Sequence, residues 1–153
     1  MGWAADFVEE DGLRWFRTGD RGRIDPNGRL NVHGRIDDQI VTGGVNVTPA
    51  EVEEAIAALP GVRDVVVVGV PHPEWGEAVV AVLSSSAGGA PPTLDVVRAT
   101  VTAALGAAAA PRRIVVVDEV PLRGIGKPDR AVATRLATPA PHTPTPGAGP
   151  VDG

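Results

Sequence analysis

The chain has 153 residues, 43% hydrophobic and 22% charged, which is enough for one domain with a buried core. A net charge of -5 excludes non-specific electrostatic binding to nucleic acid or to an anionic membrane. The absence of cysteine excludes disulfides, thiol nucleophiles and thiolate metal sites, and it fits a cytoplasmic setting.

Aromatic residues make up only 3%, with no tyrosine, so Val, Ala, Leu and Ile must build the core. No apolar run has the length needed to cross a bilayer. The start, MGWAADFVEEDG, is acidic and lacks the basic n-region of a secretory signal, and Asp6 breaks the myristoylation pattern.

In chain order, residues 1–13 show little periodicity and are expected to form a mobile lead-in. Asp25-Pro26-Asn27-Gly28 between two alternating segments predicts a hairpin, with strands over 21–25 and 29–33. Thr48-Pro49-Ala50-Glu51 has a capping-box pattern with proline at the first helical position. Val52, Ala55, Ile56 and Leu59 follow at helical spacing, and Leu59-Pro60-Gly61 stops the helix.

Val62 to Val70 reads as a strand, and its run of valines from Val65 to Val68 predicts cover on both faces. Pro71 to Gly76 is expected as a loop, Glu77 to Leu83 as a strand, and Ser84 to Pro92 as a surface loop. Thr93 can cap a helix to about Leu105, with Leu94, Val97, Val101 and Leu105 on one face. Ile114 to Val117 is a further strand, residues 121–127 a loop, and Pro128 opens a short helix to about Leu136. From Ala137 the Pro-, Thr- and Gly-rich composition predicts a disordered tail. The expected fold is α+β: a β-hairpin, then a small domain with a mixed or antiparallel sheet flanked by helices.

Several residues carry chemistry by type. Asp20 on a short loop could accept hydrogen bonds from both hydroxyls of a ribose, or could satisfy nearby turn amides. Arg35 could hold a phosphate or ribose oxygen with its planar fork, or form a solvated surface ion pair with Asp37. Gly43 and Gly44 allow close approach of a thin ligand, or simply make a turn. Lys127, flanked by glycine, is the chain's single lysine. It could neutralise charge where a carboxylate meets a phosphate, or it could be an ordinary solvated charge. His33, His72 and His142 lie far apart with no metal-site spacing, so no metal ligands are assigned.

Thr18-Gly19-Asp20, then GRIDD, Gly43-Gly44 and Glu51-Val52-Glu53, then Gly126-Lys127, occur in this order. Together they resemble the closing third of AMP-forming acyl-CoA ligases of the adenylate-forming superfamily, over roughly residues 13–136. The resemblance implies that Asp20 binds the ribose of ATP and that Arg35 sits near the nucleotide. It makes Asp37 the hinge of a swinging C-terminal part and brings the pantetheine arm of CoA past Gly43 and Gly44. It also implies that Lys127 reaches the active site during adenylation only. Asp38 is taken as structural.

The resemblance further implies three regions: a remnant of a large domain over 1–36, a lid over 37–136, and a tail over 137–153. ATP, Mg2+, CoA and a small carboxylate would be the reactants of the complete enzyme. The family's phosphate loop, acyl pocket and magnesium-binding acid have no counterpart in these residues. The chain alone is therefore expected to be inactive and to need a large N-terminal domain, one possibly encoded separately. Gly-Gly-Val-Asn-Val, Pro-His-Pro-Glu-Trp-Gly, Ala-Pro-Arg-Arg and Gly-Lys-Pro-Asp-Arg are similar to o-succinylbenzoate–CoA ligases of menaquinone synthesis. Fatty-acid and aryl ligases more often carry Glu or Tyr where Val45 stands. Still open are another acyl-CoA ligase lid, a non-catalytic binding or regulatory module that kept the fold, and a small α+β domain with accidental matches.

Overall fold

The computed structural model describes residues 7–16, 19–35 and 38–139. Two hairpins come first. Strand β1 (Phe7–Glu10) pairs antiparallel with β2 (Leu13–Phe16), and β3 (Asp20–Ile24) pairs with β4 (Leu30–Arg35). The β3–β4 turn follows from Asp25, whose carboxylate accepts from the amides of Asn27 and Arg29 at 2.9 Å each. The β1–β2 hairpin corrects the expectation of a lead-in without regular structure. Its turn is Asp11-Gly12, with φ of 55° and 74°, the paired positive values that a type I′ hairpin needs. The flanking residues do not alternate, so only the Asp-Gly pair announced it.

The main body follows. Strands β5 (Ile40–Thr42) and β6 (Val45–Val47) precede helix α1 (Pro49–Ala57), and the long strands β7 (Val62–His72) and β8 (Gly76–Ser85) come next. After them come α2 (Leu94–Leu105), β9 (Arg113–Val116), the short strands β10 (Leu122–Arg123) and β11 (Lys127–Pro128), and α3 (Arg130–Ala137). The principal sheet runs β6-β5-β8-β7, and β9 lies parallel to β8 while its other pairings are antiparallel. An α+β fold with a mixed sheet flanked by helices is thus present.

The valine run explains how the sheet is covered. Successive side chains of a strand point to opposite faces. Val67, with Val79 and Ala81 of β8, packs against Val52 and Ile56 of α1 and Val97 and Val101 of α2. Val66, Val68 and Val70, with Val80 and Val82, face Val120 and the α3 residues Ala133 and Ala137. Both faces are buried, so a strand without polar residues is what the fold requires.

Several local expectations change. The Thr48 side chain does not cap α1; its hydroxyl accepts from the Gln39 amide at 3.1 Å instead. Ser84, expected in a surface loop, is fully buried, because β8 runs on to Ser85 opposite Val62. The expected loop over 71–76 is a tight hairpin with His72 opposite Gly76, and the expected loop over 121–127 contains the β10–β11 hairpin. Helix α3 begins at Arg130, two residues later than Pro128 implied, and Asp129 caps it by accepting from the Val132 amide at 3.1 Å.

One clip joins the layers. Strand β7 is an edge of the principal sheet, and alternate residues of an antiparallel edge aim both backbone groups outward. At Val67 these groups meet side chains: Glu53 of α1 accepts from the Val67 amide at 2.9 Å, and Arg130 of α3 donates to the Val67 carbonyl at 2.9 Å. Glu53 and Arg130 also pair with each other, so helices on opposite faces close around the strand. Glu53→Ala is expected to lower the unfolding free energy by about 1–3 kcal/mol, because a part-buried amide and a guanidinium lose their acceptor. Asp64→Ala, at a half-exposed pair with Arg63, should cost less than about 1 kcal/mol. Urea denaturation measures both, and equal losses would deny the clip its special weight.

Candidate functional site

Asp20 begins β3 and Arg35 ends β4, and the register makes them direct cross-strand partners. The hairpin thus brings together the two residues that the resemblance assigns to the nucleotide. Asp37, the expected hinge, and Thr18 lie outside the described residues. Asp38, expected to be structural, has a definite partner: its carboxylate lies 3.5 Å from Arg130 Nε.

Gly43 and Gly44 form the two-residue turn between β5 and β6, with Thr42 opposite Val45. Their φ values of 56° and 78° favour glycine at both positions. Crowding is not the reason. A Cβ on Gly44 would meet nothing within 4 Å, and one on Gly43 would reach only the Trp75 ring at 3.9 Å. The outer side of the turn is therefore open backbone.

The turn is held from behind. The Gly43 amide donates to the Trp75 carbonyl at 2.9 Å, and the Val41 amide donates to Glu77 at 2.7 Å. The Trp75 ring stacks on His72 with centroids 4.2 Å apart and 12° between planes. The Arg112 guanidinium lies 3.8 Å from the centre of the Trp75 ring, a cation–π contact. Arg112 is itself anchored by its amide, which donates to the Val79 carbonyl at 2.8 Å. The sequence predicted only a loop over 71–76 and gave no role to Arg112. The available signal was a tryptophan in a chain with so few aromatic residues.

Lys127 is exposed on β11, opposite Arg123 of β10. Gly124, Ile125 and Gly126 form the tip of this small arm, and Ile125 is fully exposed. The base is firmer: the Asp129 amide donates to the Pro121 carbonyl at 3.0 Å. Among the described residues Lys127 forms no ion pair, which leaves the ammonium available to an incoming anion. The candidate residues thus stand on three separate sheets: Asp20 and Arg35 on one, the glycine turn on the principal sheet, and Lys127 on a third.

Among the described residues no group of three or more His, Asp or Glu side chains is placed to hold a metal ion. No helix among them is long and apolar enough to cross a membrane. Because the glycine turn is constrained by φ and not by space, Gly44→Asn should change stability by less than about 0.5 kcal/mol, since asparagine tolerates this region. Gly44→Val should cost more than about 1 kcal/mol. Urea titration of both variants checks this, and an equal cost would mean that the space beside Gly44 is not open.

A family model for the AMP-binding enzyme C-terminal domain matches residues 51–127. A medium/long-chain-fatty-acid–CoA ligase of Mycobacterium tuberculosis is 47% identical over 129 residues, which cover 80% of this chain and 23% of that protein. A probable 2-succinylbenzoate–CoA ligase of the same species is 45% identical over 123 residues, covering 79% and 32%. The solved structure of an amide bond synthetase from Marinactinospora thermotolerans aligns with a TM-score of 0.76 at 38% identity, covering 86% of this chain and 26% of that one. The chain spans less than a third of each of these proteins. It belongs to the family of AMP-binding enzyme C-terminal domains found in adenylate-forming acyl-CoA ligases.

Proposed function

We propose that this chain is the lid of an ATP-dependent, AMP-forming acid–CoA ligase and works in the cytoplasm. The observation that carries the proposal is the separation of Lys127 and the Gly43-Gly44 turn onto different exposed hairpins of one body. A body with two such working ends can serve two steps by turning. In the first, a carboxylate oxygen attacks the α-phosphorus of ATP, the bond to the β-phosphate breaks, and pyrophosphate leaves. Lys127 offsets the charge that gathers on the phosphate, while Asp20 holds the ribose and Arg35 the nucleotide. In the second, the lid turns about Asp37 and Lys127 withdraws. The thiol of CoA, giving up its proton, then attacks the acyl carbon and AMP leaves, with the pantetheine arm running along the open glycine turn.

On this reading residues 1–36 belong with a large nucleotide-binding part, 37–136 form the lid, and the segment from 137 is a tail. The β3–β4 hairpin supports such a partner. Ile24 faces Leu30 across it, Val32 follows, and all three are exposed on a sheet of two strands. A two-stranded sheet in water is marginal unless something packs against it. Magnesium would arrive with ATP and find its ligands outside these residues.

The acid we propose is o-succinylbenzoate, supported by the 45% identical relative and by Val45 after the glycine pair. The 47% identical relative favours a medium- or long-chain fatty acid as the second reading.

Alone, the chain should show no ATP–pyrophosphate exchange; mixed with the large part of a related ligase, it should restore exchange. In that mixture Lys127→Ala should slow exchange about 10²- to 10³-fold and leave thioester formation from a preformed acyl adenylate near normal. Gly44→Asn should show the opposite pattern. Activity of the chain alone, or equal losses in both steps, would overturn the reading. Running the assay with o-succinylbenzoate and with a fatty acid decides between the two acids.

A further inference from the structure

Arg130 lies three residues after Lys127 and joins parts that are distant in sequence. Its Nε sits 3.5 Å from Asp38, the residue directly after Asp37, while its Nη1 binds Glu53 and the Val67 carbonyl. Its backbone opens α3, immediately after Asp129. Asp129 is bound on two sides: its carboxylate caps α3 and lies 3.8 Å from Arg123, and its amide holds Pro121 at the base of the Lys127 arm. An unbroken chain of contacts therefore runs from Asp38 through Arg130 and Asp129 to the β10–β11 hairpin. Three acceptors in different directions call for a planar guanidinium, since an ammonium is a single point charge.

We propose that Arg130 is a positioning residue, which sets the pose of the Lys127 arm relative to the joint at residue 37 so that arm and joint move as one piece. The inference rests on the proposed function, in which Asp37 is the pivot and Lys127 the adenylating charge. Within it, the Asp38–Arg130 pair is what makes the arm follow the joint. Glu53 and Val67 tie the same guanidinium to the body of the lid.

The test uses the 153-residue chain, with Asp38→Asn, Asp38→Glu and, as a control elsewhere, Asp64→Asn. NMR would follow amide exchange at Gly124 to Lys127 and the methyl signal of Ile125. Asp38→Asn should raise exchange at these amides about two- to fivefold, the range for a partly exposed ion pair, with the melting temperature unchanged. It should also shift the Ile125 methyl, while Asp38→Glu and Asp64→Asn should keep wild-type behaviour. Unchanged exchange and an unmoved Ile125 signal in Asp38→Asn would overturn the proposal, as would the same response in Asp64→Asn. No catalysis enters this measurement. Its failure would leave the ligase reading standing, whereas normal pyrophosphate exchange with Lys127→Ala would remove that reading and leave the measured coupling intact.

Discussion

The pairing of Glu53 with Arg130 around the outer edge of β7 is the contact on which the arrangement of the other parts depends. An edge strand leaves backbone donors and acceptors unmatched, and packing helices beside it deprives those groups of water. Here one carboxylate and one guanidinium supply the missing partners at Val67 and neutralise each other at the same place. The ions are less costly to bury because each has several partners. The same contact fixes α1 against α3 although the two helices pack on opposite faces of the sheet.

That constraint shapes how the functional parts are distributed. A sheet covered on both faces leaves its edges and turns as the places where backbone and polar side chains reach solvent. The glycine turn and the Lys127 arm are both turns of this kind, carried by a body whose buried side chains are mostly valine and alanine. β-Branched residues have few rotamers and pack closely on a pleated surface, which makes that body stiff.

Much of the fold was legible in the sequence wherever the determining physics was local. Asp25-Pro26-Asn27-Gly28 specified its turn through side-chain bonds to residues two and four positions on, and Thr93 specified the start of α2 in the same way. The valine run foretold two buried faces. What escaped depended on partners remote in sequence. Thr48 stands where a cap belongs, yet its hydroxyl is drawn to Gln39 on the preceding segment. Glu53, Val67 and Arg130 meet across gaps that no periodicity encodes. The site divides along the same line: Gly43 and Gly44 were legible because positive φ is a local demand, whereas Trp75 and Arg112 behind them were not.

The glycine turn also shows why residue type and surroundings must be weighed separately. Had a Cβ at Gly44 met a neighbour, the glycine would be explained by packing, and nothing further would follow. With open space on that side, the requirement reduces to the turn, which asparagine can also satisfy. Backbone geometry alone therefore does not demand glycine at Gly44. A ligand lying against the backbone would demand it, because any side chain there would occupy the ligand's path. The Trp75 carbonyl, the His72–Trp75 stack and the Arg112 contact hold the turn firmly from the inner side. A turn braced on one side and bare on the other presents firm, open backbone at the surface of the principal sheet.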